Sequence, residues 1–233
     1  MAPPKFVVFD FDGTLFDTHR AIAHSITLTF EKLLPSHSPS ESEVQRLIGS
    51  GMGLKDVLNT LHPEPSTFNE EEWTYTYREI YASHGQQLVE PFNGTQKLLH
   101  FLKSRDIPIS IVSNKGVAAV WTALSNHGLT DCIPQSLIIG DKTPGATRKP
   151  DPASFFDVLV PALREQGLVE KINASDVLVI GDTEADLQFA ANIGGAKSIW
   201  CRYGYGDRHG CEKLKPGATI DSLGEVEKLV DQW

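Results

Sequence analysis

Two aspartates, Asp10 and Asp12, stand two positions apart where an apolar run meets a glycine. The run predicts a buried strand, and Gly13 predicts a turn at its end. Residues two apart in an extended chain point to the same side, so both carboxylates would face one small volume. Their repulsion needs a cation or a shared proton to offset it, and oxygen ligands of this kind suit Mg²⁺. A solvated acidic turn is the alternative interpretation.

A second acidic pair, Asp182 and Asp186, follows the apolar run at residues 177–180. Asp182 ends this predicted strand, so its carboxylate can reach the same sheet edge as Asp10 and Asp12. Asp186 falls in the first turn of the next predicted helix, where a negative charge also stabilises the helix dipole. Support of a metal ion and simple helix stabilisation are therefore both open for Asp186.

Two other predicted strand ends carry groups that suit a phosphate. Ser113 follows the run at residues 107–112, and its hydroxyl could bind a phosphate oxygen together with N–H groups of an incoming helix. Lys149 lies in a loop stiffened by Pro150 and Pro152, with Asp151 as a helix cap. An ammonium held in this way can neutralise phosphate charge. The alternatives are an ordinary N-cap serine and a solvated lysine.

The elements that must position these groups alternate between strands and helices. Such alternation predicts parallel pairing and an α/β, doubly wound sheet, in which ligands bind at the carboxyl ends of the strands. The predicted strands are residues 6–9, 107–112, 136–140, 177–180 and 197–200, and the predicted helices between and after them are residues 116–127, 153–166, 184–193 and 222–230.

A block that reads as almost wholly helical interrupts this pattern after the first strand. Its first helix spans residues 19–34 and repeats apolar residues at helical spacing, two short helices end near Ile48 and Leu61, and another spans residues 69–88. The predicted organisation is a Rossmann-like core from residues 1–17 and 91–233 with an inserted helical cap domain from residues 18–90.

Composition limits the partners and the location. The chain has 233 residues, of which 40% are hydrophobic, and a net charge of -9, which argues against nucleic acid as a partner. No signal peptide or long apolar run indicates a membrane. Three cysteines without a CxxC pair predict free thiols in a reducing compartment. We therefore expect a cytoplasmic protein, and, since no motif indicates a dimer, a monomer.

Taken together and in order, the four strand-end motifs resemble those of the haloacid dehalogenase superfamily. The insertion after the first strand is similar to its helical C1-type cap. The residues Ser113, Asn114 and Lys115 and the glycine-rich segment 202–206 look more like phosphoglycolate phosphatases and related small-metabolite phosphatases. The resemblance implies a Rossmann-like core with a cap and a Mg²⁺-dependent phosphatase that acts on a small phosphomonoester.

The resemblance also implies residue roles. Asp10 would be the nucleophile that forms an aspartyl-phosphate, and Asp12 would be the general acid and base. The phosphoryl group would be bound by Ser113, Asn114 and Lys149. The Mg²⁺ ion would be held by Asp10, by the backbone carbonyl of Asp12 and by Asp182, with support from Asp186.

The cap loop (residues 49–53) is expected to face this site and to select the substrate. It consists of Gly49, Ser50, Gly51, Met52 and Gly53, and a plain helix–helix turn is the alternative. Phe16 and His19 are also expected to line the pocket beside Met52.

Because the cap loop is small and uncharged, a neutral or partly apolar leaving group fits at least as well as an anionic one. Two other functions stay open. A phosphosugar mutase of the β-phosphoglucomutase type usually carries an arginine that this loop lacks. A non-catalytic phosphometabolite-binding protein would have lost Asp10 or Asp12, and this chain retains both.

Overall fold

The first apolar run of the chain forms a central strand of a parallel sheet. The structure is a computed structural model, and it describes residues 4–168 and 171–232. Within these residues six parallel strands pair in the order β5-β4-β1-β6-β7-β8. The predicted fold class is confirmed. The strands are β1 (Phe6–Phe9), β2 (Phe16–Asp17), β3 (Glu90–Pro91), β4 (Ile109–Gly116), β5 (Ile138–Asp141), β6 (Val177–Gly181), β7 (Lys197–Cys201) and β8 (Ala218–Ile220).

Strand β1 is buried on both faces, which explains why its sequence is apolar throughout. Val7 and Phe9 belong to the hydrophobic core on one face, and Phe6 and Val8 belong to the core on the other. From β1 the chain builds β4 and β5 on one side and then returns to build β6, β7 and β8 on the other. The strand order therefore switches direction beside β1, and the crevice at the carboxyl ends there is where such folds bind ligands.

Helices cover the sheet and form the inserted block. The segments at residues 81–85 and 154–159 are π-helical, so the predicted helices 69–88 and 153–166 are each divided. The α-helices are α1 (His19–Leu33), α2 (Glu41–Ile48), α3 (Leu54–Leu61), α4 (Glu70–Ile80), α5 (Thr95–Ser104), α6 (Val117–Asn126), α7 (Val160–Glu165), α8 (Glu184–Asn192), α9 (Arg208–Lys213) and α10 (Val226–Asp231).

Five elements fall outside the predicted pattern, namely the helices α5 and α9 and the strands β2, β3 and β8. Helix α5 carries a clear helical signal, since Leu98, Leu99 and Leu102 are buried on one face, and its omission is an error of interpretation. Strand β8 has only three residues, fewer than strand prediction depends on. The prediction that residues 197–200 form the last strand is therefore wrong.

The two connections to the helical block run side by side. Strands β2 and β3 pair antiparallel, with Phe16 opposite Pro91 and Asp17 opposite Glu90. Helix α1 packs against α2 and α4 within the block. The division into a core (residues 1–17 and 91–233) and a cap (residues 18–90) remains a prediction, and its residues 1–3, 169–170 and 233 lie outside the described part of the chain.

The cysteines and the lengths of the helices can be compared with the sequence analysis. All three cysteines are free and buried: Cys132, Cys201 and Cys211. A membrane crossing needs about 20 apolar residues in one helix. None of the helices formed by residues 4–168 and 171–232 combines that length with that apolarity.

Candidate active site

The ends of β1 and β6 bring three aspartates together. Asp10 directly follows β1, and its backbone N–H donates to the carbonyl of Ile180 in β6 at 2.8 Å. Asp182 directly follows β6, and Asp186 lies in the first turn of α8. All three side chains are buried, and one oxygen from each lies within 4.8 Å of the others. The predicted convergence of these acids on one sheet edge is therefore present in the fold.

Both carboxylate oxygens of Asp182 are held by neighbouring loops. The Thr14 hydroxyl donates to Oδ1 at 3.0 Å, and the Tyr205 backbone N–H donates to Oδ2 at 2.7 Å. Gly13 has a φ of 79°, and a Cβ atom there would overlap the Asp182 carboxylate. Only glycine therefore lets the turn after β1 approach this acid closely.

The Lys149 ammonium is buried between two of these aspartates. Its Nζ atom lies 2.5 Å from Oδ1 of Asp10 and 2.6 Å from Oδ1 of Asp186. The Asn114 side chain accepts a hydrogen bond from the backbone N–H of Lys149 at 3.1 Å. Asp151 caps the following helical turn by accepting from Ala153 at 2.9 Å. The two bonds from the Nζ atom to the carboxylates are short and charge-assisted, and such bonds are strong. The Lys149 side chain is therefore fixed in place rather than solvated.

The electrostatics of the cluster show an excess of negative charge. Burial, with Asp186 and Asp12 adding to it and Lys149 opposing it, raises the pKa of Asp10 to about 7. Burial and the charges of Asp10 and Asp186 also raise the pKa of Asp182 well above its usual range. Burial alone would lower the pKa of Lys149, but the two carboxylates beside it raise that pKa. One ammonium does not balance three carboxylates, so the cluster favours a proton or a cation.

Asp186 stabilises the start of α8, as one of its two interpretations expected, and it also contacts Lys149; its support of a metal ion stays a prediction. Its Oδ2 atom accepts from the backbone N–H of Thr183 at 2.9 Å and from the hydroxyl of Thr183 at 2.7 Å, which forms a capping box at the start of α8. Its other oxygen holds Lys149. One carboxylate therefore both begins the helix and fixes the ammonium.

Asp12 stands apart from the buried cluster and faces Lys115. Its Oδ1 atom lies 3.1 Å from the Lys115 Nζ atom. The same ammonium lies 4.2 Å from the centre of the Tyr81 ring, within cation–π range. Lys115 is not among the predicted site residues, although it directly follows Ser113 and Asn114 in the sequence.

Strand β4 is longer than predicted, and Ser113 lies within it. The strand continues to Gly116, with a change of register between Val112 and Gly116, and Gly116 is the N-cap of α6. The expectation that the strand ends before Ser113 is therefore wrong, whereas the helix predicted over residues 116–127 begins within one residue of α6. The Ser113 hydroxyl accepts a hydrogen bond from the backbone N–H of Lys115 at 3.2 Å.

A cavity of about 430 Å³ connects the aspartates to the helical block. Ser113, Asn114 and Lys149 line it together with Asp10 and Asp12. The cluster residues Asp182 and Asp186 are not among its described lining residues. Asp186 supports the wall through Thr183 and Lys149, and Asp182 supports it through the backbone N–H of Tyr205.

The cap loop meets the cavity only in part. Gly51 and Met52 line it, and the Gly51 carbonyl accepts from the Asn114 amide at 3.1 Å. Ser50 closes its own loop by donating to the Leu47 carbonyl at 2.6 Å. Gly49 packs against the Tyr205 carbonyl, and Gly53 packs against the Arg148 guanidinium.

Two other residues expected beside Met52 do not belong to the described wall of the cavity. Phe16 is wholly buried and stacks on Phe11. His19 packs edge-on against Tyr205. Both therefore support the first connection to the helical block rather than the pocket.

An ion pair in the cavity wall was missed in the sequence analysis. Arg78 on α4 binds Asp141 at the end of β5, with 2.8 Å between Nη2 and Oδ2, and both residues line the cavity. Arg148 approaches the same carboxylate at 3.8 Å and binds Asp56 at 3.0 Å. Arg78 and Asp141 are 63 positions apart, so no local motif signals their contact.

Comparisons with known proteins agree on one family. The family model described as haloacid dehalogenase-like hydrolase matches residues 7–200. Phosphoglycolate phosphatase of Neisseria gonorrhoeae is 31% identical over 94% of this chain and 90% of its own length, and that of Thiobacillus denitrificans is 29% identical over 98% and 96%. A haloacid dehalogenase-like family hydrolase from Streptococcus pneumoniae shares the fold with a TM-score of 0.76 and 23% identity, over 97% of this chain and 98% of that one.

Proposed function

The chain belongs to the haloacid dehalogenase-like hydrolases, and we propose that it is a Mg²⁺-dependent phosphatase that hydrolyses a small phosphomonoester. The observation that carries the proposal is the buried contact of Lys149 with Asp10 at the sheet edge, where Asp10 and Asp12 open onto one cavity. The phosphoglycolate phosphatases among its relatives support this reaction class.

The residues present fit a Mg²⁺ ion. Asp10, Asp182 and the backbone carbonyl of Asp12 would hold it, since hard oxygen donors are the ligands this ion takes. The raised pKa values of Asp10 and Asp182 support the assignment, because burial and the neighbouring carboxylates disfavour their charged forms, and Lys149 offsets this only in part at Asp10. When bound, the ion neutralises charge on the phosphoryl group as it is transferred.

The first half of the reaction transfers the phosphoryl group to Asp10. A carboxylate oxygen of Asp10 forms a bond to phosphorus as the bond from phosphorus to the ester oxygen breaks. Asp12, in its protonated form, gives its proton to the departing oxygen, so the leaving group departs as an alcohol.

The second half returns the enzyme to its starting state. Asp12, now a carboxylate, takes a proton from water, and the water oxygen attacks phosphorus. The bond from phosphorus to Asp10 breaks, and inorganic phosphate departs. Asp12 carries a proton again, so the cycle balances.

Three further residues are assigned to the phosphoryl group. Lys149, Ser113 and Asn114 line the cavity beside Asp10 and would bind the non-bridging phosphoryl oxygens. Charge on these oxygens grows during transfer, and a fixed ammonium stabilises it more than a mobile one does. Asp186 would act by holding Lys149 and supporting the metal site, consistent with its bonds to Lys149 and Thr183.

Other parts of the proposal concern the surroundings of the enzyme. We infer a cytoplasmic location, which the three free cysteines support. A monomeric state and the absence of nucleic-acid and membrane partners stay predictions from composition.

Replacement of the proposed nucleophile tests this function. Phosphate release from phosphoglycolate, sugar phosphates, nucleotides, pyrophosphate and alkyl phosphates should be measured with and without Mg²⁺. We expect Asp10→Asn to lower release by at least about 10⁴-fold, because no nucleophile remains to form the covalent intermediate. The exposed Asp157 provides the matched control, and Asp157→Asn should keep wild-type activity.

Circular dichroism of Asp10→Asn should match that of the wild type. Substantial Mg²⁺-dependent release by a folded Asp10→Asn variant would exclude the proposed mechanism. Isomerisation of a sugar phosphate without net phosphate release would instead identify a mutase.

A further inference from the structure

One part of the cavity wall is apolar. Helices α1, α2 and α3 and the cap loop supply it, and Ile26 and Leu47 in this wall are almost wholly buried. These are fixed parts of the hydrophobic core rather than mobile surface side chains. The aliphatic residues of the wall include Ile22, Ile26, Leu47, Met52, Leu54 and Val57.

The positive charges that line the cavity already have partners. Among its described lining residues, Arg78 binds Asp141 at 2.8 Å, Lys115 binds Asp12 at 3.1 Å, and Lys149 binds Asp10. Lys149 is assigned to the phosphoryl group. An anionic group on the leaving group would have to compete with Asp141 for Arg78, and a desolvated charge without a partner is costly. Lys115 also lies against the Tyr81 ring, 4.2 Å from its centre.

The cavity is also larger than a two-carbon leaving group needs. Its volume of about 430 Å³ falls in the range of pockets that enclose drug-sized ligands. Burial of aliphatic surface against such a wall is favourable in proportion to the area removed from water. Volume, wall chemistry and paired charges therefore all favour an extended apolar group.

We propose that the substrate is the monophosphate ester of an extended apolar alcohol, whose hydrocarbon part lies against helices α1, α2 and α3. This inference rests on the proposed phosphatase function. The balanced reaction joins the ester dianion and water to give the free alcohol and hydrogen phosphate. The leaving group is neutral once Asp12 has protonated it, so it requires no cation at the apolar wall.

A series of straight-chain alkyl phosphates measures this preference. The kcat/KM of the wild-type enzyme with Mg²⁺ should be compared for ethyl to decyl phosphate, below micelle-forming concentrations, and for phosphoglycolate. Each methylene that becomes buried should raise kcat/KM about fourfold until the cavity is filled. We expect the best alkyl ester to exceed phosphoglycolate by at least about tenfold.

The outcomes separate this inference from the function on which it rests. A flat dependence on chain length, or a preference for phosphoglycolate, would overturn the apolar substrate and leave the phosphatase intact. No Mg²⁺-dependent release from any ester would overturn both.

A charge placed on the wall provides an independent test. Met52 is 41% exposed and lines the cavity, whereas Leu214 is 38% exposed and is not part of its described lining. Met52→Lys should lower kcat/KM for octyl phosphate at least about tenfold and raise it for phosphoglycolate, because the new ammonium has no carboxylate partner among the wall residues. Leu214→Lys should change neither value.

Binding to Asp10→Asn gives a readout that does not depend on turnover. Calorimetry should show that octyl phosphate binds this variant more tightly than ethyl phosphate does. Equal affinities, or identical behaviour of Met52→Lys and Leu214→Lys, would contradict the assignment of the apolar wall.

Discussion

Where the cavity meets the sheet (the sheet end), Lys149 lies 2.5 Å from Asp10, whereas the part of the wall formed by helices α1, α2 and α3 (the helical end) includes the aliphatic side chains of Ile26 and Leu47. The sheet end depends on atomic positions, because a displacement of about 1 Å can remove most of a catalytic effect. The helical end depends on volume and apolarity, which many combinations of side chains can supply. In our proposal the sheet end thus carries out the reaction, and the helical end selects the leaving group.

Loss of the buried ammonium is the strongest test of this division. Lys149→Met should lower kcat by at least about 10³-fold, because the charge facing the phosphoryl group is lost. The loss should be the same for alkyl phosphates and phosphoglycolate, since Lys149 would contact only the group that all esters share. Lys5→Met, which removes an exposed ion-pairing lysine, serves as the control and should keep full activity.

Steady-state kinetics on both ester classes checks this prediction. A loss that is severe for one class and slight for the other would show that the two ends of the cavity are not independent. Lys149→Met should also unfold more easily without Mg²⁺, by about 3–5 kcal/mol, since Asp10 and Asp186 lose their shared partner.

The sheet end should also make stability depend on pH. The pKa of Asp10 is about 7 in the folded protein and 3.8 ordinarily. Because the folded state binds the proton of Asp10 more tightly than the unfolded state, protonation of Asp10 stabilises the fold. This contribution to the free energy of unfolding is complete below the ordinary pKa and is lost as the pH rises through about 7. Without Mg²⁺, the advantage of the wild type over Asp10→Asn should therefore shrink by a few kcal/mol between about pH 4 and pH 7.

Urea unfolding in the presence of a chelator measures this change, and Mg²⁺ added at pH 8 should restore the lost stability. Ile26→Val, at the helical end, is the matched control. It should lower the free energy of unfolding by the same amount at every pH. If the free energies of unfolding of the wild type and Asp10→Asn differed by the same amount at every pH, ionisation of Asp10 would not destabilise the fold.

The sheet end was largely predictable from the sequence. Asp10 and Asp182 each follow an apolar run, and parallel strands place all such positions at one edge. The signal is local, since each motif contains both the strand and the residue that ends it. The strand end predicted at residue 112 is instructive, because only the pairing of β4 with β5 carries that strand on to Gly116.

The helical end was less predictable, because long-range packing decides it. The spacing of Ile22 and Ile26 predicted a buried helix face but could not show that this face borders a cavity. Tyr205 illustrates the same limit. Its hydroxyl accepts hydrogen bonds from the backbone N–H groups of Thr18 and His19 at 2.7 and 3.0 Å. Its backbone N–H donates to the Asp182 carboxylate. No local sequence pattern predicts these contacts.

The smallest predicted effect concerns the point where the two ends meet. Gly51 has a φ of 69°, which disfavours a branched side chain, yet an added Cβ atom would meet only ordinary contacts of 3.5 Å with Ala185 and Thr183. Gly51→Val should therefore shift the cap loop without blocking the cavity. We expect the ratio of kcat/KM between octyl phosphate and phosphoglycolate to change about threefold to tenfold, with kcat for ethyl phosphate nearly unchanged.

Gly128 separates this effect from backbone strain. It has a similar φ of 67°, with no atom within 4 Å of an added Cβ. Both valine variants should lose roughly 1–2 kcal/mol of stability, because an L-residue is strained in this conformation. Only Gly51→Val should alter the preference between esters. An equal loss of activity on every ester in Gly51→Val would identify the cap loop as a plain helix–helix turn, and leaving-group selection would then belong to the helices alone.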